Sequence, residues 1–165
     1  MSVFMSFFYS LFAGILLSCN ISMAQESETA DVLFEKGVQY AGKQDYQQAM
    51  QWYLKAADEG NTDAMYNIGN LYAKGEGVEW SYQQAMQWWL KAADKGHINS
   101  MLMIGGYYYA STEYPEAMQW YLKAANKGSP NAMLRLGCLY KEGLGVKQDK
   151  EQAEFWYRKA KEEQK

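Results

Sequence analysis

One recurring phrase limits what this chain can fold into. Ala-Met-Gln-Trp-Tyr-Leu-Lys-Ala-Ala runs from Ala49 to Ala57, returns at Ala85–Ala93 with Trp89 in place of tyrosine, and returns again at Ala117–Ala125. A worn copy spans Ala153 to Ala160. The copies start 36, 32 and 36 residues apart. A period of this length marks a solenoid of stacked helical units. In the second copy Ala85, Trp89 and Ala92 share one helix face, being four and seven residues on from the first. The small residues admit a neighbouring helix, and the aromatic fills the space beside them. A helix pair this short cannot bury its apolar face alone, so each pair depends on the next.

A second pattern precedes each phrase. It reads Met65, Ile68-Gly69, Tyr72 in the second repeat, then Met101, Ile104-Gly105, Tyr108 and Met133, Leu136-Gly137, Tyr140. The first repeat carries a looser version, Leu33, Lys36-Gly37, Tyr40. Glycine inside a helix costs about 1 kcal/mol against alanine, so its return at one register predicts that the second helix of the repeat lies on it. Asp63, Asn99 and Asn131 are expected to cap the first helix of their repeats, and Gly60, Gly96 and Gly128 to close the second. Repeats two and four carry an added Gly-x-Gly-Val turn, Gly75–Val78 and Gly143–Val146, which repeats one and three lack. The repeats are placed at 31–61, 62–97, 98–129 and 130–165, after a short polar lead-in at 25–30. The charged finish after Val146 suits a last helix with one face toward water.

Residues 1–24 hold no charged side chain, and Val3–Leu17 is largely apolar. That stretch is short of the roughly 20 apolar residues of a membrane span. Ser22-Met23-Ala24 offers the small-x-small pattern of signal-peptidase cleavage, so 1–24 is expected to be a secretory signal, although no Lys or Arg stands near Met1. Leu16-Leu17-Ser18-Cys19 offers a competing site, a lipobox in which Cys19 becomes lipidated and tethers the chain to a membrane. Either route places the protein in the bacterial periplasm or envelope. Beyond this segment Cys138 is the only cysteine, so a chain cleaved at Ala24 has no internal disulfide. The net charge of −3, with no cluster of Lys and Arg, argues against nucleic acid.

Gly-Glu-Gly-Val, a following Tyr-x-x-Ala and Trp-x-x-Lys-Ala-Ala-x-x-Gly together resemble Sel-like repeats, relatives of the tetratricopeptide repeat. The likeness runs from Asp31 to Ala160 and is strongest over Thr62–Gly96, while repeats one and three depart from it by lacking the glycine turn. It implies an all-α fold, an α-solenoid of about four antiparallel helix-pair repeats forming a right-handed superhelix used for protein–protein contact. Bacterial relatives of this type are often exported adaptors or scaffolds.

Residues that might carry chemistry are few. The Gly-x-Gly turns lack Gly-Lys-Ser/Thr and follow no strand, so they are not phosphate cradles. His97, the only histidine, falls at a repeat junction where Asn61 and Ser129 stand elsewhere, and reads as a polar junction residue. Cys138 has no evident activating base, and no Cys/His/carboxylate cluster offers a metal site. Trp52, Trp88, Trp120 and Trp156 recur with the repeat and are expected to pack. No cofactor and no enzymatic activity are expected.

Recognition residues are free to differ between repeats where packing residues are not. In helix pairs of this type the first helix lines the concave surface, and the positions three before, one after and four after the repeating glycine point into it. These are Phe34, Val38 and Ala41; Tyr66, Asn70 and Ala73; Leu102, Gly106 and Tyr109; Leu134, Cys138 and Lys141. Such a mixed aromatic, aliphatic and amide groove suits a peptide or helix of a partner protein. Three functions compete: an adaptor or scaffold, which is favoured; an immunity protein that neutralises a secreted toxin such as a lipase; and, least supported, a cell-envelope hydrolase. Self-association through the groove stays open.

Overall fold

The computed structural model describes residues 29–164, so the expected signal at 1–24 and Cys19 lie outside the described residues. Among the described residues two helices per repeat make eight, each of 13 residues: α1 (Ala30–Gly42), α2 (Tyr46–Asp58), α3 (Thr62–Lys74), α4 (Tyr82–Asp94), α5 (Ile98–Ala110), α6 (Tyr114–Asn126), α7 (Pro130–Glu142) and α8 (Lys150–Glu162). Each is about 20 Å long at 1.5 Å per residue. The helices of one repeat pack most closely on each other, and each pair then leans on the next, giving an all-α solenoid.

The packing follows from the two sequence patterns. Ala49, Ala85 and Ala117 are completely buried, and between them and Ala56, Ala92 and Ala124 stand Tyr53, Trp89 and Tyr121. These aromatics lie flat on the repeating glycines of the partner helix. A Cβ added to Gly105 would stand 2.7 Å from the Tyr121 ring, and one on Gly37 2.5 Å from Tyr53. Trp89 covers Gly69 and Tyr157 covers Gly137 in the same way. Ile68, Ile104 and Leu136 are fully buried beside them. Burial of each contributes about 1.5–3 kcal/mol.

The recurring tryptophans sit one residue away from this seam. Trp52, Trp88 and Trp120 are half-buried against the core, and the lysine three residues on lies over each ring: Lys55 at 4.1 Å, Lys91 at 4.1 Å and Lys123 at 3.8 Å. Trp156 is more deeply buried, with Lys159 5.5 Å from its ring. They pack, but by one face, while Tyr or Trp at the next position fills the gap.

The capping expectation needs correction. Asp63, Asn99 and Asn131 lie within the first turn of their helices; the caps are Asn61, His97 and Ser129, two residues earlier. Asn61 Oδ1 accepts from the Ala64 amide at 2.8 Å and Ser129 Oγ from the Ala132 amide at 3.3 Å. The same three residues also end the preceding helix. Asn61, His97 and Ser129 donate their amides to Ala56, Ala92 and Ala124, while Gly60, Gly96 and Gly128, at φ of 91°, 94° and 84°, donate to Ala57, Ala93 and Ala125. This is the Schellman arrangement, which needs a left-handed residue. One helix stops and the next starts on a single shared residue. The displaced Asp63 has its own task, since the aspartates at its register grip the next repeat's cap: Asn61 Nδ2 donates to Asp31 at 3.0 Å and His97 Nε2 meets Asp63 at 3.1 Å.

Within repeats one and three the turn between helices repeats this geometry without glycine. Gln44 and Thr112 hold φ of 61° and 63°. In repeats two and four the added glycine turn reaches back to the preceding repeat. A Cβ on Gly77 would strike the backbone of Tyr46 at 2.7 Å, and one on Gly145 would meet Pro115 at 2.8 Å. The turn therefore seats on the first residues of α2 or α6, which explains why long and short repeats alternate. Ala49 to Ala117 and Ala85 to Ala153 are each 68 residues apart, the length of one such pair.

Candidate functional site

The site begins with a second glycine. Gly105 is needed under Tyr121, but Gly106 has nothing within 4 Å of where its Cβ would be. Its register holds Val38, Asn70 and Cys138 in the other repeats. Inside a helix it costs about 1 kcal/mol against alanine, with no packing gain to offset it. What it provides is room: a groove of about 820 Å³ opens between α5 and α7. Leu102, Met103 and Ala110 form one wall, and Leu134, Arg135 and Cys138 the other. Tyr121 contributes from α6, while Tyr82 and Tyr107, stacked with centroids 5.1 Å apart, contribute from the α4 side.

The electrostatics are simple. Arg135 is the one charged residue lining the groove, and among the described residues no carboxylate pairs with it. Burial raises the Tyr121 hydroxyl above its ordinary pKa, while the Arg135 charge pulls the other way and Tyr109 adds slightly to the rise. Tyr82 is raised by burial and then by Tyr107. The surface can thus accept apolar groups and one negative charge.

The sequence-derived groove residues divide accordingly. Leu102, Leu134 and Cys138 come together here, with Gly106 between them. Tyr109 and Lys141 do not line it: Tyr109 sits edge-on to Tyr114 at 5.4 Å, and Lys141 stands 4.0 Å from Glu142. In the first two repeats Phe34 is half-buried beside Tyr53 at 5.8 Å, Val38 is exposed, and Tyr66 is half-buried against the His97 ring at 5.0 Å. Asn70 Oδ1 accepts the Trp89 indole N–H at 3.3 Å and so helps to hold the seam. The Cys138 thiol, at the same register, accepts from the Tyr157 hydroxyl at 3.5 Å. Tyr82, Met103, Tyr107 and Arg135 were missed. Gly106 was the signal for them, because a bare position on one helix exposes side chains of its neighbours that a fixed register does not count.

One cluster has the composition of a catalytic triad and the geometry of a helix cap. His97 lies 2.8 Å from Ser100 Oγ and 3.1 Å from Asp63, the composition of a serine-hydrolase triad. Yet Ser100 is completely buried, and its backbone amide donates to the same Nδ1 at 3.2 Å. Nδ1 must therefore be bare and Nε2 carry the proton toward Asp63. The arrangement is a helix cap. Among the described residues no group of three or more His, Cys, Asp or Glu could hold a metal ion.

A model of the Sel1 repeat matches residues 28–61, 62–97, 99–129 and 130–164. The chain belongs to the Sel1 repeat family. This Sel1 repeat protein is 34% identical to a Sel1 repeat protein from Oxalobacter formigenes, with a TM-score of 0.72 over 79% of this chain and 55% of that one. It is also 34% identical to c5321, a protective antigen present in uropathogenic Escherichia coli strains that displays an SLR fold, with a TM-score of 0.71 over 84% of this chain and 32% of that one. It therefore spans about half the length of the first and a third of the second. MamA, 18% identical with a TM-score of 0.56 over 88% of this chain and 84% of its own, shares the fold alone. No curated protein matches the chain. Sel1 repeat proteins in general mediate protein–protein contact.

Proposed function

We propose that this Sel1 repeat protein is a non-enzymatic adaptor or scaffold of the bacterial envelope that holds a partner protein against the face formed by α1, α3, α5 and α7. One observation carries the reading. The aromatic-on-glycine seam repeats four times, while the register beside it changes from Val38 to Asn70 to Gly106 to Cys138. A constant frame with a varied surface serves recognition. The non-enzymatic part is supported by the burial of Ser100 and by the Cys138 thiol meeting a phenol rather than a base. The envelope part rests on the uncharged residues 1–24, largely apolar over Val3–Leu17, with the competing processing sites at Cys19 and Ala24.

Cross-linked capture from the protein's own cells tests the binding claim, using the chain from Gln25 and a Leu134→Asp variant that folds equally well. A stoichiometric partner lost in the variant is the expected result. Capture that the variant leaves unchanged removes this face from the reading, and a toxin as the captured partner would recast the adaptor as its antidote. Fractionation of cells expressing the full chain, with and without Cys19→Ser, tests the location. Recovery of the native chain in the cytosol defeats the envelope assignment.

A further inference from the structure

We propose that the groove between α5 and α7 is a pocket for one large apolar side chain carried on an acidic segment of the partner, with Arg135 pairing the adjacent carboxylate. The inference rests on the reading of this face as the binding surface and specifies what it reads. Three observations converge. Gly106 is the only glycine at its register, and nothing lies within 4 Å of where its Cβ would stand. The void is bounded by Leu102, Met103 and Leu134, and a thioether side chain adapts to varied apolar shapes. The sole charge on the lining is a guanidinium, exposed and without a carboxylate partner among the described residues. Guanidinium matches a carboxylate through paired parallel hydrogen bonds, which a lysine at that place would not supply. No Asp or Glu lines the groove to favour a basic segment, so charge complementarity selects an acidic one.

The test uses the chain from Gln25 and three synthetic peptides: Glu-Glu-Phe-Glu-Glu, Glu-Glu-Ser-Glu-Glu and Lys-Lys-Phe-Lys-Lys. Amide NMR shifts report both affinity and place. The phenylalanine peptide with glutamates is expected to move the amides of Gly106, Leu134 and Arg135, while the other two bind at least about tenfold more weakly. Arg135→Gln is expected to weaken the acidic peptide about tenfold. Gly106→Leu, which fills the void while adding a better helix former, is expected to abolish binding with the fold retained by circular dichroism. Equal binding of acidic and basic peptides, indifference to Gly106→Leu, or no binding of the acidic peptide at millimolar concentration overturns the proposal. Shifts confined to Phe34, Val38 and Tyr66 would overturn this pocket while keeping the face as the binding surface. Shifts confined to the even-numbered helices would overturn both.

Discussion

Two adjacent glycines do opposite work. Gly105→Ala pushes a methyl group into Tyr121, which is buried and has nowhere to go; a loss of about 1–3 kcal/mol is expected on urea denaturation. Gly106→Ala meets open space, so a gain of about 1 kcal/mol is expected in the same measurement. Equal effects of the two would show that the seam does not need its glycine. His97 gives a second contrast. His97→Ala removes a helix cap and is expected to destabilise by about 1 kcal/mol. His97→Asn, the residue that already caps α3, is expected to keep most of that stability. Were His97 a catalytic residue rather than a cap, the two substitutions would not separate in this way.

Helix ends were the least legible elements. The two repeating patterns together located the eight helices of the described residues, because the spacing of alanine, aromatic and glycine encodes which faces meet. They did not locate the caps: Asp63 has the chemistry of one, and sequence alone cannot tell a residue that starts a helix from one two places inside it. The Schellman bonds decide the matter, since they fix Asn61, His97 and Ser129 as the residues after the left-handed glycine. The groove was half legible for a related reason. Leu102, Leu134 and Cys138 follow from register, whereas Arg135 and Tyr107 line it beside Gly106, which presents no side chain. The short turns carry the clearest element-level prediction. Thr112 is β-branched at φ 63°, a conformation that costs an L-residue about 1–2 kcal/mol. Thr112→Gly is therefore expected to raise the melting temperature by a few degrees, and a fall would mean that the threonine side chain makes a compensating contact.

At the scale of the whole molecule the core is continuous rather than central. Buried residues of the first two repeats, including Ala92, form one cluster, and Trp89 and Ala93 of the same helix α4 belong to the next. Four tyrosines, Tyr53 and Tyr121 buried and Tyr82 and Tyr157 half-buried, are spread along it. Tyr53, Tyr82 and Tyr121 are raised above 10.0, mainly by burial, and Tyr157 is pushed up to about 12 by burial, its bond to Cys138 and the nearby Cys138 and Glu142. A raised phenol means that the folded chain keeps a proton the unfolded chain releases. Stability from these groups is full below the ordinary value of about 10 and falls as pH climbs through the raised values. The urea midpoint is thus expected to drop on that alkaline side, and a flat profile would contradict the raised phenols. The seating of each glycine turn on the helix before it has a further consequence. Repeats one and two are fitted to each other, as are three and four, so the heritable unit of this architecture is the matched pair. A copying error that adds or removes 68 residues leaves every turn with its seat, whereas one that adds or removes a single repeat strands a turn or leaves a seat empty. Lineages built on this plan can change length most freely in double steps.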